Sequence, residues 1–251
     1  MHPDPSFTTT PAFYGRRGGR RADWWTLLHP PYTAWHLSYA VIGAAIAPRL
    51  HWWMLAATVL AFFLAVGVSA HALDELHGRP LGTAISTFTL WTVSILGLIG
   101  AAVIGVLALP HTGPLLVPAI AVGVLLVLGY NLELFRGRLH TDMGFAIAWG
   151  GFPLAVGYLA QRPPLLHVST LGAVAAVVAA VTLSLAQRRL STPARMWRRR
   201  FVDVTATATR PDGTHETFGR DRLLTPIEGA LRALSLAVPL LALTLLLIRA
   251  R

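Results

Sequence analysis

Residues 84–108, AISTFTLWTVSILGLIGAAVIGVLA, contain no Asp, Glu, Arg, Lys or His. The apolar side chains fall on every face of a helix, so the run reads as a membrane span and not as one side of a soluble amphipathic helix. A bilayer needs about 20 such residues. Working outward from it, comparable runs lie near 33–48, 52–73, 115–132, 143–160, 168–187 and 228–248. The expected fold class is therefore all-α, a polytopic membrane helical bundle of seven transmembrane helices. Pro118, Pro153 and Pro239 fall inside spans, where neighbouring groups satisfy the carbonyls that proline frees.

Composition agrees. Of 251 residues, 54% are hydrophobic and 13% charged, against about 25% charged in a soluble domain. There is no cysteine, which excludes disulfides, thiolate metal ligands and thiol nucleophiles. All 21 basic side chains are arginine, which excludes any lysine-linked cofactor. The net charge of +10 comes without a nucleic-acid motif, so nucleic acid is not an expected partner. It reads as arginine retained on the cytoplasmic side and drawn to anionic lipid.

The arginines also set the orientation. With the amino terminus inside, Arg16, Arg17, Arg20, Arg21, Arg79, Arg136, Arg138 and the cluster from Arg188 to Arg222 are cytoplasmic. Arg49, Arg162, Arg249 and Arg251 are outside, and so is the carboxyl terminus. No cleavable signal peptide is expected in the polar first 30 residues. The expected location is the plasma membrane of a bacterium or archaeon. Four parts follow: a cytoplasmic tail, 1–30; a six-helix membrane core, 31–187; a basic cytoplasmic segment, 188–224; and a seventh helix with the carboxyl terminus, 225–251. Within the third part, alternating residues flank Asp212-Gly213, which predicts a β-hairpin insertion. QRRLSTPARMWRRR, 187–200, reads as a basic amphipathic stretch facing anionic lipid headgroups.

Ionisable groups near membrane depth mark functional sites by default. One cluster is HALDELHGRP, His71 to Pro80. On a helix His71, Asp74 and Glu75 share one face, and His77 reaches Asp74. Such a set binds a divalent cation or pairs a proton donor with a base; alternatively it is a helix end meeting water. The second cluster is YNLELFRGRLHTDMG, Tyr130 to Gly144. Arg136 and Arg138 suit a phosphate or other anion, or serve only as topology determinants. Asp142 suits the start of a helix. His29, His36, His51, His111 and His167 are scattered; His36 alone lies well inside a span, the minimum requirement for an axial haem ligand.

The order of these features resembles the UbiA superfamily of membrane prenyltransferases, particularly its dihydroxynaphthoate-type members, over about residues 31–161. HPPYTAWHLSYAVIGAAIA looks like the first helix of that family. SAHALDELHGRPLGTAIS looks like its first Asp-rich motif with the following Arg79, Pro80 and Leu81. In LGYNLELFRGRLHTDMGFAIAWGG, Tyr130 matches the family tyrosine, Asp142 the acidic loop residue, and Gly150 and Gly151 the small residues after it. The sequence departs where later aspartates are missing from the first motif, and where SLAQRRLSTPAR, 184–195, replaces the second.

The resemblance implies a UbiA-like ring of helices and prenyl transfer to an acceptor at the cytoplasmic face, with an isoprenoid or membrane lipid as the bound partner. Asp74 and Glu75 would hold one Mg2+. Arg79, Tyr130, Asn131, Arg136, Arg138, Arg188 and Arg189 would hold the anionic substrate, Arg195 aiding. His71, His77, His140 and Asp142 would serve catalysis. Two other readings stand beside it: a non-catalytic membrane protein binding a quinone, carotenoid or lipid, or forming part of a complex, and a haem or metal redox protein.

Overall fold

The computed structural model describes residues 10–164 and 168–250; His167 and Arg251 lie outside the described residues. A short helix α1 (Arg20–Leu27) leads into α2 (Pro30–Ile46). His29 turns the chain between them at φ 47°. Pro30 and Pro31 then occupy the first turn of α2, where a missing N–H is not needed. Next come α3 (Trp52–Leu76), α4 (Thr87–Thr112), α5 (Leu116–Asn131) and α6 (Asp142–Ala160). After α7 (Val168–Arg199) the strands β1 (Thr205–Thr209) and β2 (His215–Gly219) precede α8 (Arg220–Arg249).

Among the described residues five helices, α3, α4, α6, α7 and α8, are long and apolar enough to cross a membrane. Of the two remaining expected spans, α5 has 16 residues and α2 has 17. Phe88, Leu107, Leu171, Leu240 and Leu247 are exposed on the outer faces of the long helices, as lipid-facing side chains would be. The turns alternate between two ends. At one end Arg249 donates to the carbonyls of Ala47 and Pro48, near His111 and Arg162. The hairpin marks the other.

The hairpin forms where expected. β1 and β2 pair antiparallel, with Thr209 opposite His215. The Asp212 carboxylate accepts from the Thr214 N–H at 2.9 Å and its hydroxyl at 2.7 Å. Those bonds favour the ionised form and hold the Asp212 carboxyl below the usual carboxylate range. Gly213 takes the left-handed conformation the turn needs, φ 83°.

Residues 187–199, expected as a basic amphipathic stretch, are helical and continuous with the span before them. They continue α7 to Arg199, and Gln187, Ser191 and Ala194 are buried. Likewise α8 begins at Arg220, ahead of the expected boundary. A hydropathy window stops where charge begins, whereas backbone hydrogen bonding carries a helix on past it.

The bundle centres on α2 against α6. A Cβ built on Gly43 would lie 2.0 Å from the Leu154 carbonyl oxygen, and one on Gly157 2.1 Å from that of Ala40. The two backbones therefore touch, the close approach that small residues allow in membrane helices. Two widened, π-helical stretches face the interior, Phe63–Ala70 in α3 and Ile147–Gly151 in α6; such bulges recur at functional sites. Gly157→Leu is expected to lower stability by about 1–3 kcal/mol or more through overpacking, while Gly172→Leu, with no atom within 4 Å of the added Cβ, stays near wild type. Thermal unfolding in detergent checks this; equal melting of the two variants would refute the close contact.

Candidate functional site

A polar cavity of about 250 Å³ opens at the hairpin end. Each wall has a local cause. The α1–α2 turn presents His29, and the first turns of α2 add Tyr32 and His36. The end of α3 carries His71 and Asp74. The α5 end and following loop supply Tyr130, Asn131 and His140. From α7 come Gln187, Arg188, Ser191, Arg195, Arg198 and Arg199, and α8 adds Glu228. On α7 these positions recur at three- and four-residue steps, so one helical face is turned to the cavity.

Four imidazoles line this cavity in one orientation. His29 Nδ1 lies 2.6 Å from the Leu27 carbonyl, and His36 Nδ1 2.8 Å from that of Trp149. For His71 the partner is Gly67 at 3.1 Å, and for His140 it is Tyr130 at 3.1 Å. A carbonyl only accepts, so each Nδ1 carries the proton and each Nε2 keeps its lone pair. Burial first, then the neighbouring His71 ring, pushes His29 well below the ordinary imidazole range. The His29 and His71 rings lie 4.2 Å apart between centroids. The rings are in direct contact, tilted by 33°, with no room between them for a haem.

The carboxylates divide. Asp74 lines the cavity, but Glu75 does not join it. Glu75 is fully buried, and its oxygens accept from the N–H groups of Leu81 and Thr83 and from the Thr83 hydroxyl, each at 2.9 Å. It ties down the α3–α4 loop. The expected metal pair of Asp74 and Glu75 is therefore not assembled, because neighbouring helical positions point about 100° apart. The cavity's other carboxylate, Glu228, accepts two bonds from Arg198, one of them 2.7 Å. Among the described residues no three His, Asp or Glu side chains form a metal-binding group. Asp74 is left as the cavity carboxylate not engaged by arginine, and a Mg2+ bound there would draw the rest of its oxygen shell from water and substrate.

The other expected residues separate into two groups. Tyr130, Asn131, His140 and Arg188 line the cavity with His71 and Asp74. Tyr130 stacks on His140 at 4.5 Å between ring centroids. Arg79, His77, Arg136, Arg138, Asp142 and Arg189 lie off it. Arg79 donates to Thr87 Oγ1 at 2.8 Å and to the loop carbonyls of Thr83 and Ile85. His77 is 58% exposed on its side chain and 4.0 Å from Glu133. Arg136, Arg138 and Arg189 are exposed. Asp142 opens α6 and accepts from Arg188 Nε at 3.0 Å, the helix-start role.

Sequence reasoning missed Tyr14, Tyr32, Gln187, Arg199 and the Arg198–Glu228 pair; the α7 spacing was the available signal for three of these. Two atoms in the wall are orphans: the Tyr130 hydroxyl and Gln187 Oε1 are buried without a hydrogen-bond partner. Such groups are rare and mark a place where water or a ligand binds.

Behind the polar cavity, between α3, α4, α5 and α6, lies an apolar cavity of about 100 Å³. Val66 and Trp149 belong to the walls of both. Comparison with protein-family models, with curated proteins and with solved structures gives no match.

Glu75→Ala is expected to lose about 1–3 kcal/mol for each loop N–H left without its acceptor, equally with and without Mg2+. Asp74→Ala should fold as wild type. Melting curves in magnesium and in chelator check it; a Glu75→Ala defect seen only with magnesium would restore a metal role.

Proposed function

We propose that the chain is a divergent UbiA-like membrane protein that takes an isoprenoid or lipid with a phosphate-type head at the cytoplasmic face, and that its chemistry is of the prenyl-transfer type. The supporting observation is the pair of adjoining cavities. One is polar, with Arg188, Arg195 and Arg199 along one wall. The other is apolar, and Val66 and Trp149 stand between them. An amphiphile with an anionic head and a hydrocarbon chain matches both.

In this reading the guanidinium groups do what bound cations do in the resembled family. They neutralise the head and the charge that develops on a departing diphosphate. As the C–O bond to the diphosphate breaks, the acceptor forms the new bond and loses a proton. Nε2 of His71 or His140 takes that proton. The scarcity of free carboxylates favours a second reading, in which the same ligand is bound and not transformed.

The test is binding of farnesyl diphosphate to purified protein. Wild type should bind with magnesium and equally in chelator. Arg195→Gln and Arg188→Gln should each weaken binding about 10-fold or more; Arg138→Gln should not. No binding, or indifference to Arg195→Gln, overturns the proposal. Diphosphate release with aromatic acceptors separates enzyme from binder.

We further propose seven spans, counting α2 and α5 with the five long helices, with the hairpin in the cytoplasm. The chain lacks cysteine, so single substitutions report directly. An impermeant maleimide on intact cells should label Leu115→Cys and spare Thr207→Cys. The reverse pattern inverts the orientation, and labelling of both refutes the span count.

A further inference from the structure

Residues 10–16 run along the polar cavity as a strap, and Pro11, Ala12, Phe13 and Tyr14 form part of its wall. The strap is fastened to α1 at one side. The Arg16 N–H donates to the Thr26 hydroxyl at 2.8 Å, and that hydroxyl donates to the Arg16 carbonyl at 3.0 Å. Trp25 Nε1–H donates to the Tyr14 carbonyl at 3.0 Å.

Beyond Tyr14 the attachment changes. Phe13 packs on the cluster of Ala194, Leu224 and Leu231 between α7 and α8. Arg199 Nε–H donates to the Pro11 carbonyl at 3.1 Å, and Arg198 reaches that of Thr10 at 3.5 Å. Both arginines line the cavity. The strap thus occupies, with neutral carbonyls, donors that face the site. A phosphate oxygen is the stronger acceptor, because both partners are then ionised and guanidinium can bind it through two parallel N–H bonds, whereas the carbonyl is neutral. Release of residues 10–13 would give up the packing of Phe13 in that cluster, its edge contacts with Tyr14 and Tyr32, the Arg232 cation over its ring, the Gly15 N–H bond to the Ala12 carbonyl and the two arginine bonds, while the fastening at Tyr14 and Arg16 stays intact.

We propose that residues 10–13 are an autoinhibitory strap: in the ligand-free protein the Pro11 carbonyl holds Arg199, and an anionic headgroup displaces it on binding. The inference rests on the reading of the cavity as an anion site. It identifies the strap as the entry gate from the aqueous side, with Phe13 as its latch.

The experiment uses the full chain in detergent, with Phe13→Ser to release the latch and Phe13→Leu to keep it. The probes are farnesyl diphosphate and inorganic pyrophosphate. Phe13→Ser should bind both roughly three- to tenfold more tightly than wild type, with faster association, and Phe13→Leu should match wild type. Farnesyl diphosphate should raise amide hydrogen exchange across residues 10–13 of the wild type. Without ligand, phenylglyoxal should modify Arg199 faster in Phe13→Ser.

Unchanged or weaker binding by Phe13→Ser overturns the strap. So does slower exchange at residues 10–13 on binding, which would describe a cover closing over bound ligand. An unchanged phenylglyoxal rate overturns it as well. If Phe13→Ser speeds that reaction but neither protein binds either probe, the anion-site reading has failed and the inference falls with it.

Discussion

The contact between α2 and α6 through Gly43 and Gly157 decides how the rest of the bundle is placed. With no side chain between them, the two backbones touch, and everything borne on α2 comes within reach of α6. His36, further along α2 toward the hairpin end, can then place Nδ1 2.8 Å from the Trp149 carbonyl. Tyr39 on the next turn receives Trp35 Nε1–H at 2.6 Å and the Ser184 hydroxyl at 3.3 Å, which fixes α7 against the same post. A membrane interior offers no water to these groups, so their mutual satisfaction sets register as well as affinity between helices.

Given that scaffold, charge accounts for the polar cavity. Two of its arginines are balanced within the chain, Arg188 by Asp142 and Arg198 by Glu228. Arg195 and Arg199 have no carboxylate in ion-pair reach among the described residues. Partly buried cations without counter-charge are costly. The orphan Tyr130 hydroxyl in the same wall is a further free donor, whereas the orphan Gln187 Oε1 is an acceptor and calls for a donor such as water. Asp74 supplies one negative charge against this excess, too little to neutralise the site.

The membrane character, five of the long helices and the hairpin were legible in the chain. Long uncharged runs and the Asp212-Gly213 turn depend on local chemistry alone. The site was half legible. His71, Asp74 and Tyr130 line the cavity from helix ends whose spans are easily seen, His140 from the loop before α6, and Arg188 from within α7. Glu75 was misread because one residue's step on a helix turns a carboxylate from the cavity to the loop, and loop N–H groups leave no mark in sequence. Arg136 and Arg138 look like an anion clamp in sequence but ride an exposed turn. Tyr14 and Arg199 were hidden for the opposite reason: their site is assembled from segments nearly 200 positions apart.

The two π-helical stretches join scaffold to site. Widening a helical turn loosens its carbonyls from the regular ladder and leaves them to find other donors. Gly67, within Phe63–Ala70, receives His71 Nδ1–H, and Trp149, within Ile147–Gly151, receives His36 Nδ1–H. Each imidazole is therefore locked by the backbone irregularity that shapes the wall beside it. The same two stretches supply Val66 and Trp149, the residues shared by the polar and apolar cavities. The boundary between the chambers and the tautomer of two histidines at it thus have one origin. A change that restored regular α-helical bonding at either stretch would alter both together.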